Sequence, residues 1–358
     1  MPSSVIMFTF LALTVLTAVM VGTSEAVSCM DNKNKPVDWF IVYKLPQDSA
    51  SSKPVIREGY GQMYMDVNNQ ALKFSSTSLK DDDHAIAYTV DDIYKNHGKG
   101  NLAHVMYNDQ PPAGEEIQSG LVGHTKGVLA FDGTSGFWLV HSVPKFPLPA
   151  SKSYNWPDNA KRNGQTLLCI TFKYDQFEKI GQQLKYNYPG VYDSDLPSKL
   201  VGKTPSIVDL VKNVHVTSPP WNRQLNLQSK SGQTFVSFNK ASKWGEDLYK
   251  NWLATHFKSG LYCETWQNGG RNLNSSCEAG LNVYNVKKVS LSGGSDFKGT
   301  KDHSKWAVTT KSGLKWTCIG GINRQTSQMY RGGGAVCLEN ANVHKAFYDS
   351  VAEYEPCT

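Results

Sequence analysis

The stretch GHTKGVLAFDGTSGFWLVHSVPKFP, residues 123–147, contains two runs rich in β-branched and aromatic residues on either side of an Asp-Gly dipeptide. Asp-Gly between two such runs is a strong signal for a tight β-hairpin turn. The stretch therefore predicts a strand that carries His124 and Lys126, a turn, and a return strand that carries Trp138. Side chains two residues apart on a strand point to the same face, so we expect His124 and Lys126 to project together.

A related pattern occurs much later, as DHSKWAVTTKSGLKWTCIGGINR at residues 302–324. His303 and Lys305 again precede a turn and a tryptophan, Trp316, and one deleted turn residue aligns this copy with the first. Chance similarity is one explanation, but the joint recurrence of His, Lys, turn and Trp favours a duplicated unit. If two halves pack about a pseudo-two-fold axis, both His-x-Lys pairs meet in one site; otherwise they lie on two ordinary surface strands.

The rest of the chain predicts a mixed α/β fold with two halves. Short runs rich in Val, Ile, Thr and aromatic residues alternate with segments of helical spacing at residues 175–188 and 240–257. Residues 188–206 are rich in Pro, Gly, Ser and Asp and are the best candidate for a linker. We therefore expect an N-terminal half at 27–195 and a C-terminal half at 196–358.

The N-terminus predicts a signal peptide over residues 1–26. An uncharged apolar run from Val5 to Val21 is followed by small residues at Ser24 and Ala26, although no Lys or Arg precedes the run. An uncleaved membrane anchor is the alternative, but the run is short for a bilayer span. The expected product is secreted or lysosomal and keeps no membrane anchor.

The cysteines and the charge agree with that compartment. Seven cysteines are an odd number, so at least one is free or pairs outside the chain. The sequon that begins at Asn274 predicts glycosylation. A formal net charge of +6 is compatible with a polyanionic partner such as DNA, and equally with an ordinary basic secreted protein. Neither a CxxC pair nor an HExxH motif supports a metal site, and no cofactor is predicted.

Two imidazoles and two ammonium groups in one site suit phosphodiester cleavage without a metal. The lysines can neutralise phosphate oxygens, one neutral histidine can attack phosphorus, and the other histidine can protonate the leaving oxygen. His141, on the return strand, is either a third site imidazole or a buried histidine with a backbone partner. Asn323 is either a hydrogen-bond donor in the site or a turn residue.

Several stretches together resemble the deoxyribonuclease II family, and they extend over essentially the whole chain after the predicted signal peptide. In addition to the two histidine-containing stretches, they are NGQTLLCITF (163–172), DLYKNWLA (247–254) and RGGGAVC (331–337). The resemblance implies a phospholipase D-like fold with a pseudo-dimer inside one chain. It also implies an endonuclease that cuts DNA without a metal and leaves 3′-phosphate ends, with some similarity to a secreted venom member.

Residue roles follow from the same resemblance. It implies that His303 is the essential catalytic histidine and Lys305 its phosphate-binding partner, with His124, Lys126 and His141 completing the site. It implies the disulfides Cys29–Cys169, Cys277–Cys357 and Cys318–Cys337, which leave Cys263 unpaired.

One departure concerns the partners that orient the histidines. Phospholipase D enzymes carry an Asp seven residues after the motif histidine, where this chain has Phe131 and Thr310. The identity of the nucleophile, the pH optimum, the biological role and the oligomeric state stay open. Two other functions also stay open: a phosphodiesterase acting on non-DNA substrates such as lipid head groups, and a non-catalytic DNA-binding toxin module. The intact His-x-Lys pairs favour an enzyme over the latter.

Overall fold

A computed structural model describes residues 1, 26–117, 120 and 122–357. Nearly all of the predicted signal peptide lies outside these residues, so its cleavage stays a prediction. No helix in the described part of the chain has the length and apolar character that spanning a bilayer requires.

Two large sheets, one from each half of the chain, dominate the fold. A short ribbon, β1 (Cys29–Met30) with β2 (Pro36–Val37), precedes them. The first sheet contains β3 (Trp39–Lys44), β4 (Gln62–Asp66), β5 (Lys73–Ser75), β6 (Ala103–Asn108), β7 (Lys126–Phe131), β8 (Ser135–His141), β9 (Gln165–Lys173) and β10 (Val191–Asp195). The second sheet contains β11 (Asn222–Gln228), β12 (Thr234–Lys240), β13 (Leu261–Glu264), β14 (Val283–Ser290), β15 (Asp296–Lys298), β16 (Trp306–Thr309), β17 (Trp316–Gly320), β18 (Gly333–Glu339) and β19 (Val351–Tyr354).

Helices connect and flank these strands, which gives the mixed α/β fold expected from the sequence. They are α1 (Pro54–Arg57), α2 (Ala85–Asn96), α3 (Gln176–Asn187), α4 (Ser198–Val201), α5 (Pro205–Val211), α6 (Thr255–Phe257), α7 (Thr326–Met329) and α8 (Ala341–Asp349). A π-helix covers Leu248–Ala254, and 3-10 turns cover Asp158–Ala160, Ser242–Trp244 and Gly299–Lys301.

The centres of the two sheets share a strand order. The first sheet contains the run β6-β7-β8-β9-β3, and the second contains β13-β16-β17-β18-β12. Every neighbouring pair in both runs is antiparallel. The predicted hairpin in residues 123–147 is confirmed as β7–β8, and its turn is closed by Asp132 Oδ1, which accepts hydrogen bonds from Thr134 N and Ser135 N. In the second copy of the pattern, the equivalent strands β16 and β17 follow His303 and Lys305, and β17 begins at Trp316.

The core lies on both faces of the sheets. The largest cluster of buried apolar side chains contains Trp39 and Trp138 from the first half and Trp306 and Phe347 from the second. A second cluster is drawn from the first half alone, and a third from the second half alone. One shared core therefore joins the halves, while each half also has a core of its own.

Three disulfides, Cys29–Cys169, Cys277–Cys357 and Cys318–Cys337, are present. These are the pairs that the family resemblance implies. Cys263 is a free, buried thiol.

Two local predictions differ from the structure. Residues 188–206 are not an irregular linker, because they contain β10 and α4 and reach the start of α5. Residues 240–257 do not form one helix: Gly245 has a φ of 73°, a left-handed conformation that ends the first turn. A new helical segment then begins after Asp247, whose side chain accepts a hydrogen bond from Tyr249 N.

Candidate active site

The two His-x-Lys pairs lie at or just before the N-terminal ends of strands β7 and β16. Lys126 is the first residue of β7, and His124 precedes that strand. His303 and Lys305 both precede β16, which begins at Trp306. The prediction that both pairs lie on strands is therefore wrong for His124, His303 and Lys305, and each pair lies instead where the chain enters its sheet.

The two histidines are held by reciprocal bonds between the halves. His124 donates through Nδ1 to the carbonyl of Gly321, and His303 donates through Nδ1 to the carbonyl of Ser142, at 3.1 Å. Gly321 follows Ser142 by the same number of residues as His303 follows His124. Because Nδ1 carries the proton in both hydrogen bonds, Nε2 of each neutral ring keeps a free lone pair.

The backbone repeats this reciprocity. His124 N donates to Gly332 O at 2.8 Å, and His303 N donates to Gly164 O at 2.8 Å. Gly332 directly precedes β18 and Gly164 directly precedes β9, which occupy equivalent places in the two sheets. Each histidine is thus anchored to the opposite half by both ring and backbone.

The four predicted groups interact electrostatically. Burial lowers the pKa of His303 well below its usual value, and the charges of Lys305 and Lys126 lower it further. Burial also lowers the pKa of Lys305, with a further contribution from Lys126. The fold therefore brings His124, Lys126, His303 and Lys305 together in one cluster.

Asp109, directly after β6, links this cluster to an arginine. Its carboxylate forms an ion pair with Lys126, lies 3.3 Å from the Arg331 guanidinium, and lies 3.9 Å from His124 Nε2. Burial alone would raise the pKa of Asp109, but the charges of Lys126 and His124 and the hydrogen bond from Lys126 hold it well below its usual range. Asp109 is therefore an anion that stabilises positive charge on the His124 side.

Neutral oxygens surround Nδ1 of His303. Gln165 Oε1 lies 3.1 Å from it, at the same distance as the carbonyl of Ser142. Ser142 Oγ donates to Gln165 Oε1 at 2.6 Å, which fixes the amide in place. The Trp266 ring packs edge-to-face against His303, with the centroids 5.1 Å apart.

These contacts show which groups orient the rings in place of the missing Asp residues. Phe131 is a core residue stacked on Phe177, with ring centroids 4.5 Å apart, and Thr310 bonds through its backbone to Gly260. Backbone carbonyls orient both imidazoles, with the addition of an amide for His303.

His141 lies next to Lys126. It is the last residue of β8, and extending the register from the Gly127–Val140 pair places it opposite Lys126. Its Nδ1 accepts a hydrogen bond from Val143 N at 3.2 Å, and burial followed by the charge of Lys126 lowers its pKa to about 3. His141 is therefore a buried, neutral imidazole with a backbone partner that also borders the site.

The register also corrects the match between the halves. His141 stands three residues after Trp138, and the same spacing from Trp316 gives Ile319 as its expected counterpart. Gly320 N, however, donates to Lys305 O at 3.0 Å, so Gly320 is the counterpart of His141. Ile319 pairs with Trp306 instead. Only the first half places an imidazole beside its lysine.

Asn323 contacts the site indirectly, through the backbone of Trp266. Its side chain is buried, and its Oδ1 accepts a hydrogen bond from Trp266 N at 3.2 Å. Since the Trp266 ring packs against His303, Asn323 helps to hold the wall against which that imidazole rests.

Two buried lysines, Lys44 and Lys240, hold the loops that lead to Gly164 and Gly332. The sequence analysis did not identify either lysine. Lys44 donates to the carbonyls of Lys161 and Asn163, just before Gly164. Lys240 donates to carbonyls just before Gly332, those of Arg331 at 2.7 Å and Met329 at 2.8 Å. Lys44 is the last residue of the buried strand β3, and Lys240 is the last residue of the buried strand β12. A lysine at the end of such a strand was the feature of the sequence that could have indicated these two residues.

Three basic side chains supply the positive charge of the site. Lys126 and Lys305 are buried, while the Arg331 side chain is 30% exposed and can be reached from solvent. Within the described ranges, no three His, Cys, Asp or Glu side chains are grouped so as to hold a metal ion. The arrangement provides two imidazoles and three basic side chains, which are groups that can bind and polarise a phosphate.

Comparison with known proteins identifies the family. The family model for deoxyribonuclease II matches residues 28–357. Deoxyribonuclease-2-alpha of Mus musculus is 40% identical, covering 96% of this chain and 97% of the relative. Deoxyribonuclease-2 of Caenorhabditis elegans is 36% identical, with 96% and 98% covered, and deoxyribonuclease-2-beta of Homo sapiens is 34% identical, with 93% and 92% covered. This chain, with its two cross-anchored histidines, belongs to the deoxyribonuclease II family.

Proposed function

We propose that this protein is an endonuclease that hydrolyses DNA without a metal ion and leaves 3′-phosphate ends. One observation carries the proposal: His124 and His303 come from different halves, and each donates through Nδ1 to a carbonyl of the other half, which leaves Nε2 as the nitrogen that can react. The names of the relatives point to DNA as the substrate.

The first chemical step forms a covalent bond between His303 and phosphorus. Nε2 of neutral His303 attacks, the bond from phosphorus to the 5′ oxygen breaks, and protonated His124 gives its proton to that oxygen. The strand is cut, a free 5′ hydroxyl leaves, and the phosphate stays on the 3′ oxygen and on His303. Lys126, Lys305 and Arg331 stabilise the charge on the phosphate oxygens.

The second step releases the enzyme. Neutral His124 takes a proton from water, the water oxygen bonds to phosphorus, and the bond to His303 Nε2 breaks. The product is a 3′-phosphate, and both histidines return to their starting protonation states. The Asp109 carboxylate supports the assignment of His124 as the acid, because a nearby anion favours imidazolium.

The test is plasmid nicking in excess EDTA from acid to neutral pH, followed by analysis of the new ends. We expect nicking to persist, and a DNA polymerase to extend the ends only after phosphatase treatment. Loss of nicking that magnesium or calcium restores, or ends that can be extended directly, would overturn the proposal.

Two control measurements address the other functions. Turnover of phosphatidylcholine at the same enzyme concentration should be negligible beside turnover of duplex DNA. A protein that binds the plasmid without nicking it at any pH would instead be the non-catalytic module.

We also propose that the mature protein is secreted or lysosomal and glycosylated at Asn274. Three disulfides are typical of an oxidising compartment, and the Asn274 side chain is exposed. Mass spectrometry of the purified protein should show an N-terminus at Val27 and a glycosidase-sensitive mass at Asn274. An intact residue 1 or an unmodified Asn274 would contradict these two points separately.

A further inference from the structure

Tyr330 is an exposed aromatic residue directly before the site arginine. It is 61% exposed, against 37% for Tyr348 and 41% for Tyr354. Its neighbour Arg331 reaches into the site, where its guanidinium contacts Asp109 and donates to the carbonyl of Gly123 at 2.9 Å. Tyr330 is therefore one residue away along the chain from a side chain of the cluster that contains His124.

The backbone beneath Tyr330 is fixed. Lys240 Nζ donates to the carbonyls of Gln328, Met329 and Arg331, at 3.1, 2.8 and 2.7 Å. Three hydrogen bonds from one buried ammonium group hold this turn in place. A residue carried by such a turn is preorganised, so its side chain loses little freedom when a ligand binds.

Gly245 supports the ring. A β-carbon built on Gly245 would lie 3.5 Å from Cε1 of Tyr330, so the ring packs on backbone that carries no side chain. The residue as a whole is 61% exposed. This arrangement leaves an aromatic surface open to a flat ligand.

The surroundings combine aromatic rings with cations. Lys243 lies over the Trp221 ring at 4.9 Å, and Lys240 lies over the Trp244 ring at 5.9 Å. Lys243 is exposed, and Trp221 and Trp244 are partly exposed. Surfaces that bind single-stranded nucleic acid combine aromatic rings for the bases with cations for the backbone.

We propose that Tyr330 is a base-stacking residue that holds an unpaired nucleobase of the DNA strand beside the cleavage site. Lys243 then neutralises a phosphate of the same strand. This proposal deepens the proposed DNA cleavage and rests on it.

The test measures binding rather than cleavage. The parent is the His303→Ala variant, which keeps Lys126, Lys305 and Arg331, and the probe is a single-stranded oligodeoxynucleotide with 2-aminopurine at successive positions. Stacking on Tyr330 should quench the fluorescence at one or two adjacent positions. Adding Tyr330→Leu should remove that quenching and raise Kd by about 5- to 150-fold, whereas Tyr330→Phe should keep both.

Tyr348→Leu in the same parent is the matched control, since Tyr348 is an exposed tyrosine on α8. It should leave Kd and quenching unchanged. Binding by Tyr330→Leu that equals the parent's, a Tyr330→Phe loss as large as that of Tyr330→Leu, or an equal effect of Tyr348→Leu would each overturn the stacking role. If the parent fails to bind DNA at all, the proposed function falls and the stacking role with it.

Discussion

His124 of the N-terminal half and His303 of the C-terminal half donate through Nδ1 to equivalent carbonyls of the opposite half, but their other neighbours differ. His124 faces the Asp109 carboxylate, whereas His303 is held by the Gln165 amide and packed by Trp266. The shared bonds position both rings, and the unshared neighbours set which ring is more easily protonated. The two histidines are thus held in the same geometry but lie in different electrostatic environments.

The pKa shifts express this difference. Burial and then Lys126 lower the pKa of His124, and Asp109 raises it. Burial, Lys305, Lys126 and His124 all lower the pKa of His303, and the bond to Ser142 O opposes them. Both values lie below the usual one, so protonated His124 is populated only at acid pH, where we expect the activity.

The largest effects should come from removing either ring. His303→Ala and His124→Ala should each lower DNA cleavage by ~10²–10⁴-fold or more, since in the proposed mechanism each removes a group that acts on the reacting phosphate. The roles can be separated with thymidine 3′-(p-nitrophenyl phosphate), whose leaving group needs no proton. His124→Ala should still release a burst of about one p-nitrophenolate per enzyme, because only its second step lacks the proton acceptor, and His303→Ala should release none.

The control for both variants is His97→Ala, because His97 is exposed at the end of α2. It should match wild type on both substrates. A burst from His303→Ala instead of His124→Ala would reverse the two roles, and near-wild-type DNA cleavage by either variant would remove that histidine from the site.

Asp109→Asn should produce the next largest effect. Without the carboxylate the pKa of His124 falls, so the decline in kcat with rising pH should move to lower pH, and the rate near neutral pH should drop by roughly ten-fold or more. Buried Lys126 also loses its partner, which costs about 3–5 kcal/mol of stability. Kinetics from acid to neutral pH and a thermal melt measure the two effects separately.

Asp193→Asn is the matched control, since Asp193 pairs with His104 at 3.3 Å on the same sheet. This change should leave the pH profile where it is. An unshifted decline for a folded Asp109→Asn protein would show that Asp109 does not govern the acid.

Gln165→Glu tests the other histidine with a smaller expected effect. A carboxylate at Oε1 raises the pKa of His303, which must be neutral to attack, so the rise in kcat with pH should move up by about one unit or more. The decline on the alkaline side should stay in place, which is the opposite pattern to Asp109→Asn. Gln165→Leu should lower kcat without moving either limb, and a shift of the alkaline limb in Gln165→Glu would contradict the assignment.

The sequence predicted the residues of this site that recur in a local pattern, and it missed Asp109 and the two buried lysines, Lys44 and Lys240. His124, Lys126, His303 and Lys305 were found because a local pattern recurs near a hairpin signal. Asp109 has no local signal, since its partners Lys126 and Arg331 lie 17 and 222 residues away along the chain. The contact with Lys126 forms when β6 pairs with β7, and the contact with Arg331 forms only when the two halves pack together.

The register of the paired strands was the second feature that the sequence did not predict. Aligning the two copies of the pattern on their tryptophans matched Trp138 with Trp316. In the structure, Trp138 pairs with Leu129 of β7, whereas Val308 of β16, which is the equivalent of Leu129, pairs with Thr317. The counterpart of Trp138 is therefore Thr317. A shift of one residue turns each side chain to the other face of a strand, so the counterpart of His141 could be identified only from the hydrogen-bonded pairs.

The smallest effect should come from Cys263, in contrast with the disulfide on nearby strands of the same sheet. Cys263 is fully buried on β13, and burial raises the pKa of its thiol. Cys318 and Cys337 face each other on β17 and β18 and are joined covalently. Cys318→Ala should lower stability by about 2–5 kcal/mol, whereas Cys263→Ala should remove only a small buried side chain and cost about 1 kcal/mol.

Cys263→Ala should also leave DNA cleavage unchanged, because none of the contacts that hold His124 or His303 involves this side chain. Buried and protonated, the thiol should resist iodoacetamide in the folded protein and react only after denaturation. Non-reducing electrophoresis should show no dimer band that depends on it. Rapid alkylation of the native protein, or a dimer band that disappears in Cys263→Ala, would mean that this strand opens in solution and that the thiol can reach a second chain.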